Sequence, residues 1–493
     1  MKLLTLDNLR IDNRFARLPS EYFSRVTPTP LPSPKLLHFN ADAAALIDLD
    51  PAQALRPEFA EIFSGSRALP GAEPLSMLYA GHQFGSWVSQ LGDGRAILLA
   101  QVRNSKSESW DLQLKGAGPT PYSRGSDGRA VLRSTVREYL CSEAMHGLGI
   151  PTTRALSIVI SPQPVRRETM ETAAVVCRMA PSHVRFGSFE VFYYREQYDK
   201  LKPLADHVIA EHFPQHTGDY AAWLIEITER TARLMAHWQC VGFCHGVMNT
   251  DNMSILGLTL DYGPYGFLDA FDANHICNHT DEGGRYAYDR QPSIGHWNIS
   301  RLLQATLPLL HDDPEQAVPI AQGILDRFGP AYANAVTAGW RAKLGLRDEQ
   351  DKDPELINNL LNIMHRGKSD FTRTFRNLSQ LRTNHDEPAV GVRDEIADLA
   401  AFDAWVIDYR ARLRSEHSDD AERAARMNAV NPKYVLRNHL AQRAIEIAHT
   451  GDASEIETLM TLLRRPYDEH PDHEAYAAEP PPEARHIEVS CSS

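Results

Sequence analysis

The stretch His245–Gly263, HGVMNTDNMSILGLTLDYG, contains the residues that decide the fold class. It follows Tyr220–Gln239, where apolar residues recur at the spacing of an amphipathic helix. We therefore predict a long helix capped by Asp219, then a loop over residues 244–252, then a short hairpin over residues 253–261.

Three side chains at the two ends of this predicted hairpin carry oxygen atoms: Asp251, Asn252 and Asp261. Hard cations such as Mg²⁺ bind carboxylate and amide oxygens and share the rest of their coordination shell with phosphates. Protein kinases use an Asn of the catalytic loop and an Asp that precedes Phe-Gly in this way. The pattern predicts metal ligands at Asn252 and Asp261, and leaves Asp251 to act as a base or to orient the nucleophile. An Asp-Asn pair by itself is more often a turn.

The region before residue 180 predicts a β-rich unit that contains one helix. Trp110–Lys115 alternates apolar and polar residues, as a strand with one buried face does. The order is strand, strand, helix, strand, strand, over these segments: Ala96–Val102, Trp110–Lys115, Ala130–His146, Ala155–Ser161 and Ala173–Met179. Lys115 lies on the polar face of its strand and Glu138 lies within the helix. A strand Lys paired with a helix Glu holds nucleotide phosphates in kinases, although a surface Lys and a solvated Glu are also common.

Glycine and arginine residues add candidate phosphate contacts. Gly92-Asp-Gly94-Arg95 and Asp127-Gly128-Arg129 expose backbone N–H groups beside a guanidinium, but each alone is also an ordinary turn. Arg178 and Arg185 follow the last predicted strand. Partly exposed arginines there could clamp a triphosphate through bidentate bonds, whereas spacing alone favours surface salt bridges. The segment Gly81–Trp87, GHQFGSW, predicts only a packed, glycine-bent stretch in which His82 is structural.

At this point the chain resembles the selenoprotein O family of kinase-like protein adenylyltransferases, as a bacterial, cysteine-containing member. The resemblance covers nearly the whole chain and is carried by these stretches: LYAGHQFGSWVSQLGDGRA (78–96), LQLKGAGPTPYSRGSDGRAVLRSTVREYL (112–140), CRMAPSHVRFGSFE (177–190), HGVMNTDNMSILGLTLDYGPYGFLD (245–269) and the ending IEVSCSS. It implies an α+β, protein-kinase-like bilobal fold in which the nucleotide lies reversed. AMP rather than phosphate is then transferred, with ATP as co-substrate.

The resemblance also implies a role for each candidate residue. Asp251 is the general base, and Asn252 and Asp261 bind Mg²⁺ or Mn²⁺. The residues expected to bind the nucleotide are Gly92, Gly94, Arg95, Lys115, Glu138, Asp127, Gly128, Arg178, Arg185 and Asp261. The terminal cysteine of the family can pair with a cysteine of the catalytic lobe, which implies a redox pair between Cys277 and Cys491.

The expected organisation has four parts. Residues 1–75 are an irregular N-terminal extension, and residues 76–180 form the N-lobe. Residues 181–465 form a mostly helical C-lobe with the catalytic loop, and residues 466–493 form a poorly ordered, acidic and proline-rich tail that carries Cys491. The catalytic loop lacks the His-Arg-Asp of kinases, since Gly246 follows His245.

Composition excludes several other classes of protein. The 493 residues are 43% hydrophobic and 23% charged, which excludes a wholly disordered or fibrous chain. The net charge of −13 argues against a general binder of nucleic acids or anionic membranes. Apolar runs such as Ala96–Ala100 are too short to cross a bilayer, and Met1–Arg10 lacks the core of a secretory signal. We therefore expect a cytoplasmic monomer.

We predict a metal-dependent transfer of AMP from ATP to Ser, Thr or Tyr hydroxyls of proteins, with release of pyrophosphate. Three alternatives remain open: transfer of UMP from UTP, an ordinary protein kinase that transfers the γ-phosphate, and a catalytically dead kinase-like binding module. The presence of Lys115, Glu138, Asp251, Asn252 and Asp261 argues against the dead module.

Overall fold

The chain is a mixed α+β protein, with a sheet in its first part and helices in its second, in a computed structural model that describes residues 3–384, 391–487 and 489. The strands are β1 (Phe23–Arg25), β2 (Lys35–Phe39), β3 (Leu75–Met77), β4 (Gly81–Gln83), β5 (Ser86–Val88), β6 (Ala96–Arg103), β7 (Ser109–Lys115), β8 (Ala130–Val131), β9 (Arg154–Arg166), β10 (Met170–Ala180), β11 (Phe243–Cys244) and β12 (Gly266–Phe267).

The α-helices of the first half are short apart from two. They are α1 (Ala41–Ala45), α2 (Pro57–Phe63), α3 (Leu132–Gly147), α4 (Gly187–Tyr194), α5 (Leu201–His212) and α6 (Tyr220–Val241). The second half is almost entirely helical, as predicted. Its helices are α7 (Gln291–Leu310), α8 (Pro314–Leu325), α9 (Phe328–Lys343), α10 (Asp353–Gly367), α11 (Phe371–Leu378), α12 (Leu399–Ser415), α13 (Asp420–Asn428), α14 (Asn438–Ala448) and α15 (Ser454–Arg464).

The main sheet is antiparallel, with strand order β1-β3-β6-β7-β10-β9-β2, and β8 pairs with β10. The predicted alternation in β7 is confirmed. Leu112 and Leu114 pack into an apolar cluster on one face of the sheet, with Phe59 and Phe63 of α2. The polar side chains of β7 face the other way, where Lys115 contacts Glu138 of α3. The sheet therefore has one apolar, covered face and one face that carries charge into the interior.

Residues 1–75 differ from the irregular extension that the sequence predicted. Residues 23–25 and 35–39 form β1 and β2, which lie at the two ends of the main sheet. The helix α2 covers the apolar face. The sequence analysis missed both strands because each is at most five residues long and the proline-rich stretch lies between them. This segment is therefore part of the sheet rather than an appendage.

The long helix α6 confirms the prediction, and Asp219 caps it by accepting a hydrogen bond from the backbone N–H of Ala222 at 2.9 Å. The predicted hairpin over residues 253–261 is wrong. Ser254 forms a β-bridge with Arg185, and Thr259 forms one with Thr152. Residues 253–261 therefore bridge to outside segments and do not pair with each other as two strands.

The last α-helix fastens the second half of the chain to the first. His38 of β2 lies between Tyr139 of α3 and Glu457 of α15, at 2.7 Å from an oxygen of each. Arg464, the last residue of α15, donates a 2.7 Å hydrogen bond to Asn40. The free edge of β2 and the start of α1 are thus held by residues more than 400 positions later.

The tail after Pro466 is packed against the helices as far as Tyr476, which corrects the expectation of poor order there. Lys433 contacts Glu469 and Glu474 at 2.5 and 2.6 Å, and the Tyr476 hydroxyl donates to Glu455 at 3.1 Å. Within the described ranges, the helices include none that combines the length and the apolar character needed to span a bilayer.

A buried ion pair between α3 and β9 offers a test of how these two elements pack. Glu143 of α3 accepts two hydrogen bonds from Arg154 of β9, at 2.7 and 2.8 Å, and both residues are buried. We expect Glu143→Ala to lower the free energy of unfolding by about 3–5 kcal/mol, because it leaves a buried guanidinium without a counter-charge. Denaturant unfolding measures this loss. The exposed pair Arg25–Glu73 is the control, where Glu73→Ala costs at most about 1 kcal/mol. Equal effects of the two substitutions would contradict the packing of α3 on β9.

Candidate active site

A cavity of about 650 Å³ lies between the charged face of the sheet and the loop after α6. Eight of the residues that the sequence singled out line it: Gly92, Gly94, Arg95, Lys115, Arg178, Asp251, Asn252 and Asp261. Further basic side chains line the same space, from Arg124, Arg129 and Arg167. A polar cavity with this many cations suits a ligand that carries several negative charges.

Lys115 and Glu138 meet as the sequence predicted. The Lys115 ammonium contacts one carboxylate oxygen of Glu138, and Arg178 contacts the other at 3.0 Å. Burial alone would raise the pKa of Glu138, but Lys115 and Arg178 outweigh it and hold that pKa at about 2. Burial lowers the pKa of Lys115 to about 8 against the opposing charge of Glu138. Glu138 is therefore ionised and Lys115 mostly protonated at neutral pH.

Arg178 and Arg185 are buried, so the expectation of partly exposed arginines or surface salt bridges is wrong. Arg178 donates to one oxygen of Asp261 at 2.6 Å, and Arg185 contacts the other oxygen. Arg178 also donates to Gln113 of β7 at 2.5 Å. The two guanidinium groups thus hold the Asp261 carboxylate from the sheet side, and sequence spacing could not show this because the partner is some 80 residues away.

The backbone around Asp261 is fixed by its surroundings. Asp261 has a φ of +62°, in the left-handed region that non-glycine residues seldom adopt. Arg185 adds a 2.8 Å hydrogen bond to the carbonyl oxygen of Asp251. The Arg185 side chain therefore contacts both Asp251 and Asp261, which are ten positions apart in the sequence.

Asp251 is buried, at 6% exposure, and one of its carboxylate oxygens accepts a 3.2 Å hydrogen bond from Gln83. The other oxygen, Oδ1, has no hydrogen-bond partner among the residues that the structure describes. Burial raises the pKa of Asp251 to about 6, with the Gln83 hydrogen bond acting in the opposite direction. Gly81 lies so close that a Cβ there would be 2.8 Å from Oδ1. The carboxylate is thus held in place with one oxygen uncommitted.

The donor atoms at Asn252 and Asp261 fit a hard divalent cation. Asn252 donates its side-chain N–H to the Val247 carbonyl at 3.0 Å, which fixes the plane of the amide. Asp251, whose buried Oδ1 is unpartnered within the described chain, lines the same cavity beside these carboxylate and amide oxygens. Mg²⁺ and Mn²⁺ prefer such oxygens, and both leave positions for phosphate and water.

Asp127 and Gly128 are not among the residues that line the cavity. Asp127 pairs with Arg167 at 2.9 and 3.0 Å, and Arg167 does line it. Gly128 has a φ of +64°, and a Cβ there would overlap the backbone of Gly118. The structure therefore places Asp127 behind a cavity-lining arginine and Gly128 at a close crossing of two loop segments.

Asp93 and Gln83 are among the polar cavity residues that sequence reasoning missed. Asp93 accepts hydrogen bonds from Gln113, at 3.0 Å, and from Tyr79, at 3.3 Å, and it faces Arg185 at 3.9 Å. Gln83 lies in the GHQFGSW segment, which the sequence marked only as packed. Asp93 lies between Gly92 and Gly94, in the segment that the sequence analysis interpreted as a phosphate contact or an ordinary turn. That position was the one sign of its place in the cavity. No signal in the sequence pointed to Gln83.

Of the predicted redox pair, Cys491 lies outside the described residues, so the pair stays a prediction. Cys277 is next to the candidate active site, and its thiol donates to the Cys244 carbonyl at 3.3 Å. Burial raises the pKa of the Cys277 thiol. Two residues further on, the N–H of His279 donates to the Val489 carbonyl at 3.0 Å. The described end of the chain thus reaches the loop that contains Cys277.

Comparison with known proteins shows which family this chain matches. The sequence model of the family described as "Protein adenylyltransferase SelO" matches residues 5–464. The "Protein nucleotidyltransferase YdiU" of Methylococcus capsulatus is 60% identical over 483 residues, which are 97% of this chain and 95% of the relative. The YdiU of Myxococcus xanthus is 55% identical over all of both chains, and that of Thiobacillus denitrificans is 54% identical over the same share.

With matches of this length and identity, the protein is an enzyme of the nucleotidyltransferase class. It belongs to the SelO family, which confirms the resemblance to selenoprotein O recognised in the sequence.

The arginine–aspartate contact can be tested without any ligand. We expect Arg185→Met to lower the free energy of unfolding by about 3–5 kcal/mol, because Asp261 loses one of its two buried partners. Adding Asp261→Asn to that variant should recover part of the loss, because the unpaired charge is then removed. Denaturant unfolding of the single and double variants gives the coupling. Strictly additive losses would show that the two residues do not interact.

Proposed function

We propose that the protein transfers AMP from ATP to Ser, Thr or Tyr hydroxyls of other proteins, and that its two parts form a kinase-like arrangement around the nucleotide. The observation that carries the proposal is the pairing of two sets of groups across one cavity. Lys115 and Arg178 bring cations from the sheet side, with Arg185 behind them on Asp261, and the loop opposite brings the oxygens of Asn252 and Asp261 beside Asp251. Cations suit phosphates, and the oxygen set suits a divalent cation.

In the proposed reaction, an acceptor hydroxyl attacks the α-phosphorus of ATP. The new bond joins the acceptor oxygen to that phosphorus, the bond to the bridging oxygen of the β-phosphate breaks, and pyrophosphate leaves. The acceptor proton passes to Asp251. Its pKa of about 6 keeps it mostly ionised at neutral pH and able to accept a proton. Lys115 and the two arginines orient the phosphates and stabilise the charge that develops on the leaving pyrophosphate.

Asn252 and Asp261 would hold Mg²⁺ or Mn²⁺, which supplies charge neutralisation at the phosphates when bound. Gly92, Gly94 and Arg95 border the same cavity and would contact the nucleotide. Asp127 would act through Arg167, whose guanidinium it orients at the cavity wall. Gly128 would keep that loop in place. Action on other proteins is in line with the family's description, and we also propose that the enzyme is a cytoplasmic monomer.

ATP labelled separately on the α- and γ-phosphates decides between the proposed transfer and its alternatives. Incubated with Mg²⁺ or Mn²⁺ and a protein lysate, the enzyme should place α label and no γ label on protein. Label from γ would indicate an ordinary kinase, and no label from either would indicate a binding module. The same test with α-labelled UTP shows whether UMP is transferred as well, since phosphate contacts do not select a base.

We expect Asp251→Asn to retain nucleotide binding and to lower transfer by about 10²–10⁴-fold, the scale of losing a general base. The substitution keeps the shape of the side chain and its contact with Gln83, and removes only the capacity to accept the proton. Nucleotide binding is measured by calorimetry and transfer by the α label. Asp312→Asn makes the same chemical change at an exposed site and serves as the control. Loss of binding together with transfer would assign Asp251 to metal or nucleotide binding instead.

Asp261→Asn should abolish the metal-dependent part of nucleotide binding, because it removes the carboxylate that we assign to the cation. Calorimetric titration of ATP with and without Mg²⁺ measures that part. Circular dichroism of the variant shows whether it remains folded, since Arg178 and Arg185 lose their partner. Binding that responds to Mg²⁺ as in the unmodified protein would remove Asp261 from the metal site.

A further inference from the structure

The hairpin of β4 and β5, residues 81–88, reaches from the sheet onto the loop that carries Asp251. His82 donates its backbone N–H to the Thr250 hydroxyl at 2.7 Å, and its ring contacts Glu190 at 2.7 Å. Trp87 packs on Tyr194 with the ring centres 4.0 Å apart. The base of the hairpin is thus fixed by buried polar and aromatic contacts, and its tip is held at a set position.

The tip of this hairpin has an unusual backbone. Phe84 has a φ of +50°, which is costly for a bulky residue and persists only where the surroundings enforce it. Its N–H donates to Asn249 Oδ1 at 3.1 Å and to the Tyr286 hydroxyl at 2.9 Å. Tyr286 in turn donates to Asn249 at 2.6 Å. Asn249 and Tyr286 therefore hold Phe84 in this conformation.

The side chain of Phe84 is 40% exposed although it is apolar, and it lines the same cavity as Asp251. Its ring packs on Tyr286 at 5.1 Å between centres and leaves the remaining surface open. The residue before it, Gln83, donates to Asp251. The exposed ring of Phe84 thus lies one residue after Gln83, which contacts the proposed base, Asp251. The contacts of Asp251 do not account for this exposed apolar ring.

We propose that Phe84 is a specificity-determining residue that binds the acceptor segment, by packing against an apolar or aromatic side chain adjacent to the hydroxyl that is modified. This inference rests on the proposed function. The acceptor hydroxyl has to approach Asp251, so the residues beside it in the acceptor chain pass over the hairpin tip. The polar lining of the cavity suits phosphates, whereas the exposed ring of Phe84 gains by burying apolar surface.

The test uses the full-length enzyme, α-labelled ATP with Mg²⁺, and a library of nine-residue peptides with a central Ser, Thr or Tyr and randomised flanks. Phe84→Asn removes the ring and keeps a residue that tolerates positive φ. Phe84→Tyr keeps the ring and serves as the conservative rescue. Leu55→Asn removes an apolar side chain that is 87% exposed and lies outside the cavity, and it is the matched control.

We expect the unmodified enzyme, Phe84→Tyr and Leu55→Asn to select peptides with an apolar or aromatic residue within two positions of the labelled hydroxyl. Phe84→Asn should lose that selection and raise KM for a selected peptide by about tenfold, the scale of one lost aromatic contact, with a smaller change in kcat. Calorimetric affinity for ATP should stay within about twofold, because the phosphate contacts are intact.

Three results would overturn the inference. Unchanged selection by Phe84→Asn would show that the ring does not contact the acceptor. Weaker ATP binding by that variant would place Phe84 in the nucleotide site. An enzyme that labels lysate proteins but no peptide would show that recognition lies away from Asp251. Failure of the proposed function is distinct, because there the unmodified enzyme places no α label on any protein.

Discussion

The contact of the Asp261 carboxylate with the buried Arg178 and Arg185 is the one on which the arrangement of the cavity depends. Arg178 extends from β10, Arg185 from the segment that follows it, and Asp261 from the far end of the loop after α6. Because charges removed from water need partners, the two arginines can be buried only when the sheet and the loop that carries Asp261 are correctly placed. Glu138 extends the same network to α3 through Lys115 and Arg178.

This network also gives a physical reason for the choice of residues at the proposed nucleotide site. Without a ligand, the two arginines are neutralised by Asp261 and Glu138, so the buried cations are not left without counter-charge. In the proposed complex, the cation at Asp261 would compete with the arginines for the carboxylate. The guanidinium groups would then be available to the phosphates. Metal and nucleotide binding would therefore reinforce one another.

Local patterns in the sequence predicted the elements that are stabilised locally, and failed where a distant partner decides the structure. The alternation of β7 and the Asp219 cap of α6 follow from neighbouring residues and were confirmed. The hairpin expected over residues 253–261 was wrong, because Arg185 and Thr152 bind its backbone instead. The burial of Arg178 and Arg185 was missed for the same reason. Lys115 and Glu138 were paired correctly because the family resemblance and the element order both indicated the contact.

The contacts of α15 with β2 and α3 have a consequence for how the chain is made. His38 and Asn40 each acquire one of their hydrogen-bond partners, Glu457 and Arg464, only when the last helix has been synthesised. Many proteins fold from the N-terminus, one domain at a time, during translation. Here the edge strand β2 and the helix beside it wait for nearly the whole chain to leave the ribosome. Until then β2 and the start of α1 lack the contacts that hold them to the second half of the chain, so this end of the sheet is stabilised late.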